Sequence, residues 1–296
     1  HLAQAESGFS PKAVSRAQAV GMWQFILSRG AEYGLRRDKD KDERRDPEKA
    51  TRAAARHLRD LYTKFGDWYL AMAAYNCGPL NVQRAVERTG YADFWELRRR
   101  NVLPAETSNY VPIILAMVIL AKNPAHFNLP EVMEEPSLDY STVELKAATH
   151  LDLVADVTGV PVAAIRDLNP SLLGSIAPAG HALHVPAGAD ASVLSALELI
   201  PPERRTSWRL YRTGEGDTLE RIAARFHTTP KQIVQVNHAL TADVEAGRLL
   251  VVPAAPAQAK VASKKRVSRK PAAAATRKKS AAAPKPAAAA KSVAAR

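Results

Sequence analysis

Over the first 127 residues the apolar positions recur at the three- and four-residue spacing of helices. Asp46 followed by Pro47 is an N-cap and first-turn pair. After it, Ala54, Leu58, Leu61, Tyr62 and Phe65 share one face that stops at Gly66. Asp67 is placed to cap the next helix, whose stretch Trp68 to Tyr75 is apolar nearly all round and reads as core, ended by Cys77-Gly78. Pro79 opens a helix running to about Arg88, with Gly90 as its stop. Glu106 to Lys122 supplies another, which Pro112 is expected to kink or restart. Its Ile113 to Ala121 is the longest apolar run of the chain. That run falls short of the roughly 20 residues a membrane-spanning helix needs, so it reads as a buried core helix.

Proline-bearing stretches at 123–130 and 134–136 close this module, and the texture then changes. Segments 145–186 and 211–253 are related by an internal repeat offset by 68 residues, closing to 67. Ile165 to Asn169 aligns with Ile233 to Asn237, and Ala179 to Pro186 with Ala246 to Pro253. Each copy reads as strand, helix, helix, strand. In the second, Trp208 to Arg212 is strand-like, Leu219, Ile222, Ala223 and Phe226 form a helical stripe, Thr229-Pro230 starts another helix, and Leu249 to Val252 closes the unit. The expected plan is a helical domain at 1–127, a linker at 128–144, a small module at 145–188, a linker at 189–206, a second module at 207–254 and a tail at 255–296. Modules this small suit binding rather than catalysis.

Composition refines this plan in two places. The net charge of +12 lies wholly beyond residue 253, where twelve Lys/Arg and no acid occur; removing them from 42 basic and 30 acidic residues leaves thirty of each. The tail, made of Ala, Lys, Pro, Arg and Ser without aromatics, cannot bury enough apolar surface to offset its ordering entropy and is expected to be disordered. Position 1 is His and no secretion signal follows it, so the sequence is expected to begin inside a longer precursor. The single Cys77 excludes an internal disulfide and a cysteine-based zinc site.

One set of residues proposes a chemistry: Ala5-Glu6-Ser7-Gly8-Phe9, Gly21-Met22-Trp23-Gln24 and Ala74-Tyr75-Asn76-Cys77-Gly78. A carboxylic acid can protonate a glycosidic oxygen at neutral pH if an apolar setting raises its pKa. Leu2, Ala3 and Phe9 are expected to provide that setting for Glu6, and Ser7 to orient the carboxyl or a substrate group. Glycoside hydrolases usually add a second carboxylate about 5 to 9.5 Å away. No acid here has an equally convincing context: Asp46 and Asp67 read as caps, and Asp38 to Asp46 reads as a solvated charged loop. That absence favours a reaction in which the sugar's N-acetyl group attacks the anomeric carbon. The same glutamate then takes the proton of the 6-hydroxyl and closes a 1,6-anhydro ring.

Together with Glu106-Thr107-Ser108-Asn109-Tyr110-Val111, these segments resemble the motif set of the family 1 lytic transglycosylases, in the group whose SLT catalytic domain is followed by LysM modules. The resemblance implies a mainly α, lysozyme-like catalytic domain followed by small βααβ LysM-type modules. It implies cleavage of the MurNAc-β-1,4-GlcNAc bond of peptidoglycan, without a cofactor or metal, in the bacterial cell envelope, the periplasm, with any outer-membrane anchor upstream of His1. Glu6 would be the sole acid/base, with Ser7 and Tyr110 supporting it. Gln24, Tyr75 and Asn76 would line the glycan cleft, Trp23 would pack in the core, and Gly21 and Gly78 would stand where a side chain obstructs the turn or the glycan. Arg16 to Ala19 and Leu27 to Arg29 depart from the family pattern and alter the cleft rim. The catalytic helix of the family extends further toward the N-terminus than the five residues that precede Glu6 here.

Gly214 to Leu219, followed by Asn237, is similar to the LysM signature. It implies N-acetylglucosamine binding by Gly216, Asp217, Thr218, Leu219 and Asn237 in a groove between the first strand-helix loop and the second helix-strand loop. The first repeat has Ala148-Thr149-His150-Leu151 in place of Gly216-Asp217-Thr218-Leu219, and reads as a degenerate spacer with little glycan affinity. Its His150, His181 and His184 lack metal-ligand spacing and are expected at surface or strand positions. The tail's basic clusters suit anionic lipids or wall polymers. Nucleic acid is the less favoured partner, since no aromatics interleave them. Two other readings stand beside the enzyme: a non-catalytic peptidoglycan-binding fragment, and a lysozyme-like hydrolase with an unrecognised second carboxylate.

Overall fold

The computed structural model describes residues 1–130, 137–237 and 244–253, all within one compact unit. The expected basic tail, the stretch 134–136 and the second helix-strand loop of the last module at 238–243 lie outside the described residues. The helical domain comprises α1 (Leu2–Ser7), α2 (Leu27–Glu32), α3 (Pro47–Phe65), α4 (Trp68–Cys77), α5 (Pro79–Thr89), α6 (Phe94–Arg99) and α7 (Ala105–Lys122). Helix ends fall where local chemistry puts them. The Asp46 carboxylate accepts from the Lys49 amide and that of Asp67 from the Leu70 amide, while Gly66 terminates α3 in the left-handed conformation. Leu70, Ala71, Ala73 and Ala74 of α4 are buried, and the three small alanines let α3, α5 and α7 pack closely around it.

Pro112 lies inside a continuous α7 and does not restart it: the Ser108 carbonyl, deprived of its usual donor at the proline, accepts instead from Arg98 Nε at 2.9 Å. Two expectations for this domain fail for identifiable reasons. The apolar run Ile113 to Ala121 is not core, because α7 buries Thr107, Tyr110, Val111 and Ile114 and turns Ile113, Ile119 and Leu120 outward. No helix among the described residues is long and apolar enough to cross a membrane. The charged run from Asp38 to Asp46 is not simply a solvated loop: Asp42, Glu43 and Arg44 are buried, 2%, 6% and 3% exposed, around a three-residue 3-10 turn.

Two modules follow. The first contains β1 (Tyr140–Glu144), β2 (Thr149–His150), α8 (Leu151–Thr158), α9 (Val162–Leu168), β3 (Ile176–Ala177), β4 (Ala182–Pro186) and α10 (Asp190–Glu198). β1 pairs antiparallel with β4, from Tyr140 opposite Pro186 to Glu144 opposite Ala182, and β2 pairs with β3. The strand begins at Tyr140, ahead of the expected start at 145. The stretch 189–206 is no simple linker: Val193, Ala196, Leu197 and Ile200 are buried in this module's core. His150 accepts the Asp152 amide as the cap of α8, His184 lies in β4, and His181 is partly buried.

The second module is β5 (Arg209–Arg212), α11 (Leu219–Arg225), α12 (Pro230–Val236) and β6 (Leu249–Val252), with β5 and β6 antiparallel. Successive strand residues point to opposite faces. Leu250 and Val252 face their own helices, whereas Leu210 and Val251 join the core of the first module. The apolar content of this two-stranded ribbon follows from its having both faces covered. Arg209 adds a bidentate pair, Nε and Nη2 to the Asp156 carboxylate of α8 at 2.6 and 2.5 Å.

Candidate active site

Glu6 stands one residue from the end of α1, whose Leu2 and Ala3 are buried and which packs against α7. Its carboxylate accepts a hydrogen bond from the Tyr110 hydroxyl at 2.5 Å. In front lies a cleft of about 690 Å³, lined by Glu6 together with Gln24, Tyr75, Asn76 and Tyr110. These five nominated residues, from four separate segments, share one surface. Ser7 does not join them: its hydroxyl donates to the Met22 carbonyl at 2.8 Å and ties α1 to the 21–24 loop instead of orienting the carboxyl.

The apolar setting of Glu6 keeps the buried Leu2 and Ala3 of the expected one and departs from it at Phe9. Phe9 is 52% exposed and left-handed, with φ 63. The cleft beside Glu6 is walled instead by Ala5, Ala74 and the rings of Tyr75 and Tyr110. Burial pushes the carboxyl above its ordinary 4.5, the Tyr110 hydrogen bond pulls it down, and the charge of Glu106 pushes it up again. Burial also holds Tyr75 and Tyr110 protonated, so both hydroxyls remain donors.

The remaining side chains shape the walls. Tyr75 donates its hydroxyl to the Trp23 carbonyl at 2.8 Å, and the partly buried Trp23 donates Nε1 to Thr51 at 2.9 Å. Gln24 donates Nε2 to the Gly21 carbonyl at 2.7 Å. Asn76 donates to Glu106 at 3.2 Å and accepts from Thr107 at 2.7 Å, so both ends of its amide are engaged. Gly21, at φ 85, comes so near α3's approach that a Cβ there would sit 1.9 Å from the Arg44 carbonyl oxygen; no other residue fits. Gly78 has open space and needs glycine for its φ of 88 alone.

Two residues were missed. Glu106 lines the cleft as a second carboxylate, contrary to the expectation that no other acid had a convincing context. It occupies the first turn of α7, where an acid reads as a helix-dipole partner, and only its place beside Tyr110 in the quoted motif hinted otherwise. His57 also lines the cleft, with its Nδ1 3.0 Å from the Tyr33 hydroxyl and its ring 5.1 Å from that of Tyr75. Burial, aided by the Arg29 charge, lowers its pKa to about 4, so it is neutral at neutral pH.

In the second module the loop before α11 is built as expected of a capped turn. Thr218 caps α11 by accepting the Arg221 amide, and Gly216 takes φ 73. The Asp217 carboxylate accepts from the Gly214 amide at 2.7 Å and the Tyr211 hydroxyl at 2.8 Å, which holds it below the ordinary carboxylate range. Leu219 and Asn237 also serve the fold of this module. Leu219 is buried in the core, and the Asn237 amide is spent on the Ile233 and Val251 carbonyls and the Val251 amide.

With this geometry in place, three regions match known families: residues 1–98 the Transglycosylase SLT domain, 139–201 the LysM-like domain of Lytic transglycosylase MltD, and 211–253 the LysM domain. The chain is therefore an SLT-domain protein carrying an MltD-type LysM-like module and a LysM module. It is 31% identical over 275 residues to the membrane-bound lytic murein transglycosylase D of Escherichia coli (strain K12), across 87% of this chain and 60% of that protein. The chain thus spans less than two thirds of that relative's length. The peptidoglycan transglycosylase gp16 of Escherichia phage T7 is 43% identical over 79 residues, 26% of this chain and 6% of that protein. The crystal structure of the 70 kDa soluble lytic transglycosylase SLT70 from Escherichia coli aligns with 37% of this chain and 19% of that chain, at 24% identity and TM-score 0.33.

Proposed function

We propose that this chain is a lytic transglycosylase that cleaves the MurNAc-β-1,4-GlcNAc bond of peptidoglycan and leaves 1,6-anhydro-MurNAc ends. The observation that carries the reading is Glu6: a carboxyl whose pKa is raised by burial, bonded by Tyr110, at a cleft large enough for a sugar chain. Protonated Glu6 gives its proton to the bridging oxygen as the bond to the anomeric carbon breaks. The N-acetyl oxygen of the same sugar takes that position. The Glu6 carboxylate then accepts the 6-hydroxyl proton while that oxygen attacks the anomeric carbon and displaces the N-acetyl oxygen. Tyr110 holds the carboxylate in one orientation throughout. Gln24, Tyr75 and Asn76 shape the glycan-binding walls.

The second module holds the enzyme on N-acetylglucosamine-containing strands through Gly216, Asp217 and Thr218, and the site of action is the cell envelope. Glu106 favours one competing reading, hydrolysis with a water activated by a second carboxylate. Mass spectrometry of digested peptidoglycan separates the two. An anhydro product supports the proposal; products heavier by one water, with reducing ends, replace it with hydrolysis. Equal digestion by the protein and by Glu6→Gln would remove Glu6 from the chemistry, and no digestion by either would leave only a binding function.

A further inference from the structure

The buried charges of the 38–46 loop are explained by what lies across from them. The Asp42 amide donates to the Ser171 carbonyl at 2.8 Å, and the Leu173 amide donates to the Asp40 carbonyl at 2.8 Å. Lys41 and Leu172 thereby form an antiparallel bridge between the helical domain and the LysM-like module. Ser171 and Leu172 are buried at the contact. Tyr140 adds a hydrogen bond to Glu48 at the start of α3, and Lys12 pairs with Asp167 at 2.6 Å.

From the bridge, contacts lead straight to the cleft. Asp42 grips Arg44 twice, Nε at 2.9 Å and Nη2 at 2.7 Å, with both side chains sealed from solvent. Arg44 Nη1 then donates to the carbonyls of Gln18 at 3.2 Å and Phe25 at 3.0 Å. Phe25 and its neighbour Gln24 both line the cleft. A buried ion pair is tolerated only when hydrogen bonds offset its desolvation, and here the offsetting carbonyls belong to the rim itself. Arginine suits the position because its planar fork can serve the carboxylate and the carbonyls together.

We infer that the LysM-like module is a working part of the cleft: the Ser171–Leu173 segment fixes the loop that carries Arg44, and Arg44 is the positioning residue that sets the rim from Gln18 to Phe25. A module without its glycan loop thereby has a reason to keep its fold. The kinetic part of the test rests on the glycan-cleaving reading above; the exchange part does not.

The test uses the full chain. Leu173→Pro removes the amide that holds Asp40, at a side chain that is itself exposed. Amide exchange over residues 18–25 should accelerate about tenfold or more. The kcat/KM for glycan strands should fall roughly tenfold through KM, with the pH profile governed by Glu6 unmoved. If Leu173→Pro does not fold, Arg44→Lys, which keeps the charge and loses the fork, is read in the same two ways. Unchanged exchange over 18–25 in a folded variant whose Asp42 amide has lost protection overturns the inference, as does an altered pH profile with KM intact. No digestion by the wild type would end the glycan-cleaving reading and leave exchange to decide the brace.

Discussion

In the first repeat the turn before α8 is closed inward: Thr149 is fully buried and paired with Ala177 across β2 and β3. In the second, the corresponding turn stays open, with Asp217 bonded to Gly214 and Tyr211 and available to solvent. Inside, the two are nearly superimposable in their chemistry. Ile165 and Ile233 are fully buried at equivalent places. Asn169 donates to the Ile165 and His184 carbonyls and accepts the His184 amide, as Asn237 does with Ile233 and Val251. The interior of the repeat answers to folding alone, so the turn before the first helix can differ between the two copies while the core stays the same.

The largest effect should come from separating cleavage from retention. Glu6→Gln should lower turnover about 10²- to 10⁴-fold while sedimentation with insoluble peptidoglycan, assigned to the second repeat, stays at the wild-type level. The same variant has a stability signature. Because the folded pKa of Glu6 lies above its ordinary 4.5, the folded protein keeps a proton that the unfolded chain releases. That contribution is complete below the ordinary value and is lost as pH rises through the folded one. Glutamine does not ionise, so Glu6→Gln should melt above wild type at pH 7 and level with it near pH 3 by calorimetry.

Next in size are the two asparagines. Asn169→Ala and Asn237→Ala each abandon three hydrogen bonds and leave strand groups unpaired, at a cost of about 2 to 3 kcal/mol by urea unfolding. Only the first should also reduce cleavage of soluble glycan strands. Equal catalytic effects from both would break the distinction between a bracing repeat and a retaining one. A smaller loss, about 1 to 2 kcal/mol, is expected for Arg209→Met, which leaves the partly buried Asp156 without its bidentate partner. Smallest is Asp217→Ala, expected to weaken N-acetylglucosamine oligomer binding about five- to tenfold in calorimetric titration without touching cleavage. Since Asp217 sits below its ordinary 3.8, retention should hold at that pH and fail only as pH falls through the lower folded value.

Much of this was legible along the chain because it was local. Caps at Asp46, Asp67 and Thr218, the stop at Gly66 and the paired βααβ units all follow from chemistry within a few residues. Glu6, Gln24, Tyr75, Asn76 and Tyr110 were found through their motifs, and the cleft does gather them. What escaped depends on distant partners. Asp42 and Arg44 look solvated until Ser171 and the rim carbonyls are brought to them. Phe9 looks like a pocket wall until its φ turns it away, and Glu106 looks like a dipole partner until Asn76 draws it into the cleft. Leu219 and Asn237 show a further limit: a signature shared by a binding module contains residues that build the fold, as Leu219's burial and Asn237's bonds to Ile233 and Val251 do here.

The ribbon formed by β5 and β6 carries a practical warning for anyone wishing to borrow the last module as a free-standing affinity tag. Cut from its neighbour, it would present Leu210 and Val251 side by side on a short two-stranded edge, a sticky patch with every incentive to pair with another copy. Exchanging both for threonine or lysine before excision keeps strand character on that face and makes it wettable. In the intact chain both side chains are covered by the core of the first module.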